Sequence, residues 1–219
     1  MSIKPILFNT EMVRAILDGR KSCTRRIVKH DVEAILNSPY HKEHPEVEDE
    51  QIISKLCIPP YQPGDILYVR ETFIQAAANI FWYKADDKLW MSKDLLWKPS
   101  IHMPKKAARI WLKVTDVRVE RLQEITESGA KAEGIRGYTK DGNLYKYAVT
   151  DDWWIDYHNK HKEIVTGTWW QDMPRTAKDA FSYLWNSTIK KSDLDLYGWN
   201  ANPWVWTIEY ERCEKPEGV

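Results

Sequence analysis

Gly19-Arg20-Lys21-Ser22-Cys23-Thr24-Arg25-Arg26 is the stretch on which the reading of this chain turns. It follows Asn9–Gly19, which reads as a short helix. Asn9 or Thr10 caps it, Glu11 suits its first turn, Met12, Val13, Ile16 and Leu17 form one apolar face, and Gly19 stops it. The basic run therefore begins where a helix ends. Lys21 and Thr24 stand three apart, which in a helical turn puts both side chains on one face. A lysine beside a hydroxyl is an activation pair when the amine is neutral. Burial, or the neighbouring Arg20, Arg25 and Arg26, would depress the lysine pKa in that direction. The competing reading is an ordinary basic turn that steadies the helix end by dipole attraction.

Outward from that stretch, Gln62-Pro63-Gly64-Asp65 is a turn signal. Ile66–Phe73 then alternates as a strand, with Leu67, Val69 and Phe73 on one side and Tyr68 and Arg70 on the other. Ala108–Leu122, rich in β-branched residues, reads as a long strand bent near Asp116. Thr126 caps a short helix ending at Gly134. Thr176–Ile189 reads as a helix, with Thr176 and Asp179 in capping-box spacing and Phe181, Leu184 and Trp185 facing inward. Trp204–Tyr210 is a closing strand with Trp204, Trp206, Ile208 and Tyr210 on one face. Between these elements, residues 31–60 are acidic, hold four prolines and read as a loop around a weak helix. Residues 74–104 read as a hairpin and a long loop. Residues 136–175, polar and aromatic without a clear period, read as an insertion or lid. The pattern predicts an α+β fold. It is one domain over residues 1–219, a small, mixed, mostly antiparallel β-barrel with short flanking helices and long insertions near 31–60, 74–100 and 136–175.

The chain has 219 residues and equal numbers of basic and acidic side chains, 32 of each. That balance excludes a protein that coats nucleic acid by bulk charge alone. The zero is uneven along the chain. Residues 1–30 carry seven basic side chains against Glu11 and Asp18, a net +5, and residues 98–118 carry six against Asp116, again +5. Residues 31–56 carry two lysines against seven acids, a net −5. The two basic runs would form one anion-facing patch if the fold joined them; the alternative is a solvated surface of alternating sign. A hydrophobic content of 43% excludes global disorder. No apolar run approaches the roughly 18 residues of a membrane span, the first residues lack the apolar core of a secretory signal, and three scattered cysteines suit a reducing compartment. The expectation is a cytoplasmic protein without a membrane partner.

Twelve tryptophans against four phenylalanines are the compositional anomaly. Trp111, Trp185, Trp204 and Trp206 fall on regular elements and read as core or barrel wall. Trp82, Trp90, Trp97, Trp153, Trp154, Trp169 and Trp170 fall in the irregular segments, and Trp199 in the loop before the last strand. The irregular-segment tryptophans either bury those segments against the barrel or supply a stacking lid.

Other residues carry weaker signals. Glu133 would sit at the C-terminal end of its helix, where the dipole disfavours an anion by roughly 0.3–1 kcal/mol, a modest pointer to function. Arg70 and Glu71 alternate to opposite faces and read as substrate contacts or as a rim ion pair. His41/His44 and His158/His161 are pairs in polar segments with no cysteine nearby, short of the four ligands of structural zinc. No glycine-rich phosphate loop is present. No metal and no cofactor are expected. Cys23 has no histidine near it in sequence and reads as a quiet thiol.

Taken together, the Gly19–Arg26 motif, Pro63-Gly64-Asp65 opening a strand, the strand-then-helix passage Val117–Ile135 and the closing strand Trp204–Tyr210 resemble ASCH domains, which adopt a β-barrel related to the PUA fold of RNA-binding proteins. The likeness covers most of the chain apart from the three irregular segments, and is nearest to the longer, prophage-type members. Small bacterial ASCH proteins include amidohydrolases that remove the acetyl group from N-acetylated cytidine with a Lys, a Thr and a Glu. The matching positions here are Lys21, Thr24 and Glu133, with Arg26 matching a further basic residue. The resemblance thus implies Thr24 as nucleophile, Lys21 as base, Glu133 as its orienter or as handler of the leaving-amine proton, and Arg26 beside the oxyanion. Arg20, Arg26, Arg70 and Glu71 are the expected substrate contacts, and the expected partner is a nucleoside or a single-stranded or modified RNA. The alternatives are a non-catalytic reader of RNA or of a modified nucleobase, a ribonuclease, or a phage or host interaction module.

Overall fold

The computed structural model describes residues 2–86, 95–161 and 168–218. β1 (Ile3–Leu7) leads into α1 (Thr10–Leu17) and then β2 (Cys23–Ile27). Three short helices, α2 (Val32–Leu36), α3 (Pro39–Glu43) and α4 (Asp49–Leu56), precede β3 (Ile66–Arg70) and a hairpin of β4 (Phe73–Ala77) and β5 (Ile80–Tyr83). β6 (Trp111–Arg121) runs into α5 (Glu127–Ala132), then a second hairpin of β7 (Arg136–Thr139) and β8 (Tyr145–Ala148). α6 (Asp151–Lys160), α7 (Trp169–Asp172), α8 (Ala177–Thr188) and α9 (Leu194–Tyr197) lead to the final strand, β9 (Trp204–Cys213).

Five strands form the main sheet in the order β1-β3-β6-β9-β2. β1 runs parallel to β3, and the remaining pairings are antiparallel. β6 carries a bulge: Val114 faces Tyr210 and Asp116 faces Glu209, leaving Thr115 between them. A bulge of this kind bends its strand, and it lies where the sequence predicted the bend. The N-terminal strand is pinned by Asp65, whose carboxylate accepts from Ser2 N–H, Ser2 Oγ, Gln62 N–H and Lys4 Nζ.

The expected closed barrel is not formed among the described residues. β1 and β2 are the two edges of an open sheet. The sheet curls around a core of Ile6, Phe8, Val13, Ile16, Leu67, Leu112 and Ile208, and its edges approach each other at Leu7 and Arg26. There a side chain replaces a ladder: Arg26 Nη2 donates to the Leu7 carbonyl at 3.1 Å. α1 lies in the chain between the two edge strands, and its Val13 and Ile16 fill the core beside them.

A second core, on the other face of β9 at Val205, is filled by Leu122, Ile125, Ala130, Phe181 and Leu184 and seats α5 and α8. Residues 31–60 are more ordered than expected. They hold three helices, and α4 buries Ile52 and Ile53. Residues 136–175 likewise hold β7, β8, α6 and α7. Their aromatic side chains supply the packing that the sequence period does not show. Trp153 and Trp154 stack on Tyr157, and Trp154 and Tyr157 meet the edge of Tyr183 on α8. Trp111, Trp154, Trp185, Trp204 and Trp206 are buried, and Trp90 lies outside the described residues.

Candidate functional site

Two helix ends meet to make the site. α1 terminates at Gly19 (φ 71°), with Gly19 N–H bonded to the Ile16 carbonyl and Arg20 N–H to the Ala15 carbonyl. α5 terminates at Gly134 (φ 103°), with Gly134 N–H bonded to Lys131 and Ile135 N–H to Ala130. Both are glycine-terminated caps in which only the left-handed backbone closes the last turn. The chain leaving α1 and the residue ending α5 then pair in an isolated antiparallel bridge, Lys21 with Glu133.

Lys21 is therefore not part of a helical turn with Thr24. Residues 23–27 are strand β2, with Thr24 opposite Ile208 and Arg25 opposite Thr207 on β9. Alternation in a strand separates neighbours to opposite faces. Thr24 and Arg26 share one face, and Arg25 turns to the other. The segment is a strand because β9 offers it a full partner, a contact that local spacing does not reveal.

Lys21 Nζ donates to Glu133 Oε2 at 2.6 Å, to the Cys23 carbonyl at 2.8 Å and to the Glu133 carbonyl at 3.1 Å. Its side chain is fully buried and that of Glu133 is 3% exposed. Arg25 closes the other side of the carboxylate, Nη1 donating to Glu133 Oε1 at 3.2 Å, and its Nε and Nη2 donate to Glu120. A carboxylate at a helix C-terminus is disfavoured unless a cation compensates it, and here two do. Burial pushes the Lys21 ammonium below its ordinary pKa, with Glu133 opposing. For Arg25 burial works against the charge, but Glu133 and Glu120 outweigh it and raise its pKa. Burial, reinforced by Glu133, pushes the Cys23 thiol up to about 12, which leaves it protonated and unreactive.

Thr24 and Glu133 line a common cavity of about 570 Å³, in the size range of small-molecule sites. It opens at the seam between the two sheet edges and α8, with Arg26, Tyr61, Phe181 and Trp185 on its walls. Arg26 Nη1 donates to Thr24 Oγ at 3.1 Å. That bond uses the hydroxyl oxygen as acceptor and leaves its proton to donate. Lys21 does not line the cavity; it sits behind Glu133.

The remaining predicted contacts lie elsewhere. Arg20 bonds Asp18 and the Gly134 carbonyl. Arg70 donates to the Ile101 carbonyl. Glu71 is buried and held in two-pronged fashion by Arg109, at 2.9 and 3.0 Å. None of the three lines the cavity. The two basic runs do not join there: in residues 98–118, Arg109 pairs with Glu71 and Asp86, and Arg118 with Asp116, Glu120 and Glu209. Among the described residues, none from 136–175 lines the cavity either. Arg25, Tyr61 and Trp185 also line the cavity, a position the sequence pattern does not give them.

Among the described residues no three His, Cys, Asp or Glu side chains cluster as metal ligands. His41, His44 and His158 stand instead beside Asp49, Glu46 and Asp172. No described helix is long and apolar enough to cross a membrane.

No protein-family model matches the chain, and no curated protein does. Among solved structures it is similar to the crystal structure of an ASCH domain from Lactobacillus crispatus JV V101, at 12% identity and a TM-score of 0.36, over 96% of this chain and 79% of that one.

Proposed function

We propose that the cavity at the sheet seam binds a nucleobase, carried by a nucleoside or by single-stranded RNA, and that Thr24 and the Lys21–Glu133 pair hydrolyse an amide on that base, as in N-acetylated cytidine. One observation carries the reading: Thr24 and Glu133, from elements far apart in sequence, share the wall of one cavity, and Glu133 is clamped there by a buried lysine. Buried ion pairs are poor devices for stability alone, which favours a role for this one in the cavity that Glu133 lines.

In this reading Thr24 Oγ attacks the amide carbonyl carbon. Its proton passes to the Glu133 carboxylate, which the Lys21 ammonium holds at 2.6 Å and stabilises on the cavity wall. The developing oxyanion forms next to Arg26, already bonded to Thr24 Oγ. The C–N bond breaks as Glu133 returns the proton to the amine, which frees the nucleoside. Water then cleaves the acyl-Thr24 ester and releases the acid.

The test is incubation of the purified protein with N-acetylcytidine. Cytidine and acetate are expected, and release is expected to fall at least about a hundredfold in Thr24→Ala and Glu133→Gln. No release, or equal release by these variants, overturns the hydrolase.

A second reading is non-catalytic recognition of the base. It is favoured by the three acceptors that occupy every N–H of Lys21 and by the absence of Lys21 from the cavity wall. Stacking on Trp185 or Tyr61 would then contribute about 1–3 kcal/mol per base. Binding of N-acetylcytidine without turnover, lost in Trp185→Ala, identifies this case.

A further inference from the structure

The basic run before position 30 is largely neutralised within the fold. Lys4 pairs with Asp65, Arg14 with Glu11, Arg20 with Asp18, Lys21 with Glu133, and Arg25 with Glu133 and Glu120. Two cations of that run have no carboxylate partner among the described residues: Arg26 and Lys29. Both line a second cavity, of about 250 Å³, together with His30, Tyr61 and Trp206, and no carboxylate lines it. The second cavity adjoins the first, since Arg26, Ile27 and Tyr61 line both. Arg26 spends Nη1 on Thr24 and the Arg25 carbonyl and Nη2 on the Leu7 carbonyl. Its Nε is uncommitted among the described residues. Past the end of β2, Lys29 and His30 also line a further cavity, shared with Asp31, Glu33, Arg121 and Asp195, so the stretch free of carboxylates is short.

We infer that the second cavity is a phosphate site, and that the base in the first cavity arrives as a nucleotide unit rather than a free nucleoside. This rests on the proposed nucleobase reading of the first cavity. A guanidinium without a carboxylate, a lysine and an imidazole around a small hollow are the donors a phosphate takes. Adjacency through Arg26 sets phosphate and base on neighbouring subsites of one ligand. Asp31, Glu33 and Asp195, which share the neighbouring cavity with Lys29 and His30, disfavour a second phosphate there.

The experiment measures affinity by calorimetry for N-acetylcytidine, its 5′- and 3′-monophosphates, and a single-stranded RNA trinucleotide carrying N-acetylcytidine at its centre. At least one phosphorylated probe is expected to bind about tenfold or more tighter than the nucleoside. That ratio is expected to narrow in Lys29→Ala and to vanish in Lys29→Glu. Lys29 is exposed, and a thermal melt of each variant checks that the fold is intact. An advantage shown by a monophosphate supports a free nucleotide as the source; one shown by the RNA alone supports a strand. If the nucleoside binds and no phosphorylated probe binds more tightly, or if the advantage survives in Lys29→Glu, the phosphate site is overturned and the base cavity stands. If the nucleoside and every phosphorylated probe fail to bind, both readings fall.

Discussion

Glu127 caps a helix other than its own: its two carboxylate oxygens accept from the backbone N–H groups of Ala177 and Lys178, at 2.8 and 3.1 Å. One short helix, α5, therefore holds the first turn of α8 at one end and presents Glu133 at the other. α8 supplies Phe181 and Trp185 to the cavity wall, so this contact sets the distance between the wall and the carboxylate. Glu127→Ala is expected to cost about 1 kcal/mol, the usual range for a lost cap, and to weaken binding of N-acetylcytidine. Urea melts and calorimetry on the same preparation check both.

Gly134 is the stricter of the two terminating glycines. A methyl at that position would stand 2.9 Å from Ala15 Cβ, on a backbone at φ 103°. Gly134→Ala is expected to destabilise the protein by about 1–3 kcal/mol and to displace Glu133. Gly142 has a comparable backbone, φ 79°, but open space around it, so Gly142→Ala is expected to cost less and to leave substrate turnover unchanged. Denaturant midpoints and cytidine release distinguish the pair.

Removing one member of the Lys21–Glu133 pair leaves a buried partner behind. Lys21→Met is expected to destabilise the protein, by less than the roughly 3–5 kcal/mol of a wholly uncompensated buried charge, because Arg25 still bonds Glu133. Adding Glu133→Gln is expected to recover part of that loss, so the double variant costs less than the sum of the singles. A double-mutant cycle from urea denaturation measures the coupling. Strict additivity would mean that Arg25 alone satisfies Glu133.

Asp65 gives a pH signature. Burial works to raise its pKa, but the hydrogen bonds from Lys4, Ser2 and Gln62 outweigh it and hold the carboxyl well below the usual range. A depressed folded-state pKa means the stabilisation is present above the unfolded value, about 3.9. It is lost progressively as pH falls through that value toward the folded one. Unfolding midpoints are expected to drop between pH 7 and pH 3 in the wild type, and to drop less in Asp65→Asn, which is less stable at pH 7.

The elements that sequence reading placed correctly are those with local signals. Asn9 caps α1 through Met12 N–H, Thr176 caps α8 through Asp179 N–H, and Gly134 ends α5. The bend near Asp116 appears as the bulge at Thr115. What stayed hidden depends on contacts distant in sequence. The basic segment at Lys21–Arg26 has helical spacing, yet becomes a strand because β9 pairs with it. Arg25 looked like one more charge in a basic run until Glu133 and Glu120 came to meet it. In the segment 136–175, α6 is held by ring packing of Trp153, Trp154 and Tyr157, the last two against Tyr183 of α8, and β8 alternates but buries a lysine, Lys146, so no apolar period shows. Barrel closure failed as an expectation because sequence patterning identifies strands but does not register that the two edges stop at a side-chain contact.

β9 follows every other described strand in sequence and lies between β6 and β2 in the sheet. During synthesis, β2 emerges early and has no ladder partner until Trp204–Cys213 leaves the ribosome. Thr24 and Arg26 are thus held in place only when translation of that strand is complete. A chain cut before Trp204 would carry Lys21, Thr24 and Glu133 but lack the strand that pairs with β2.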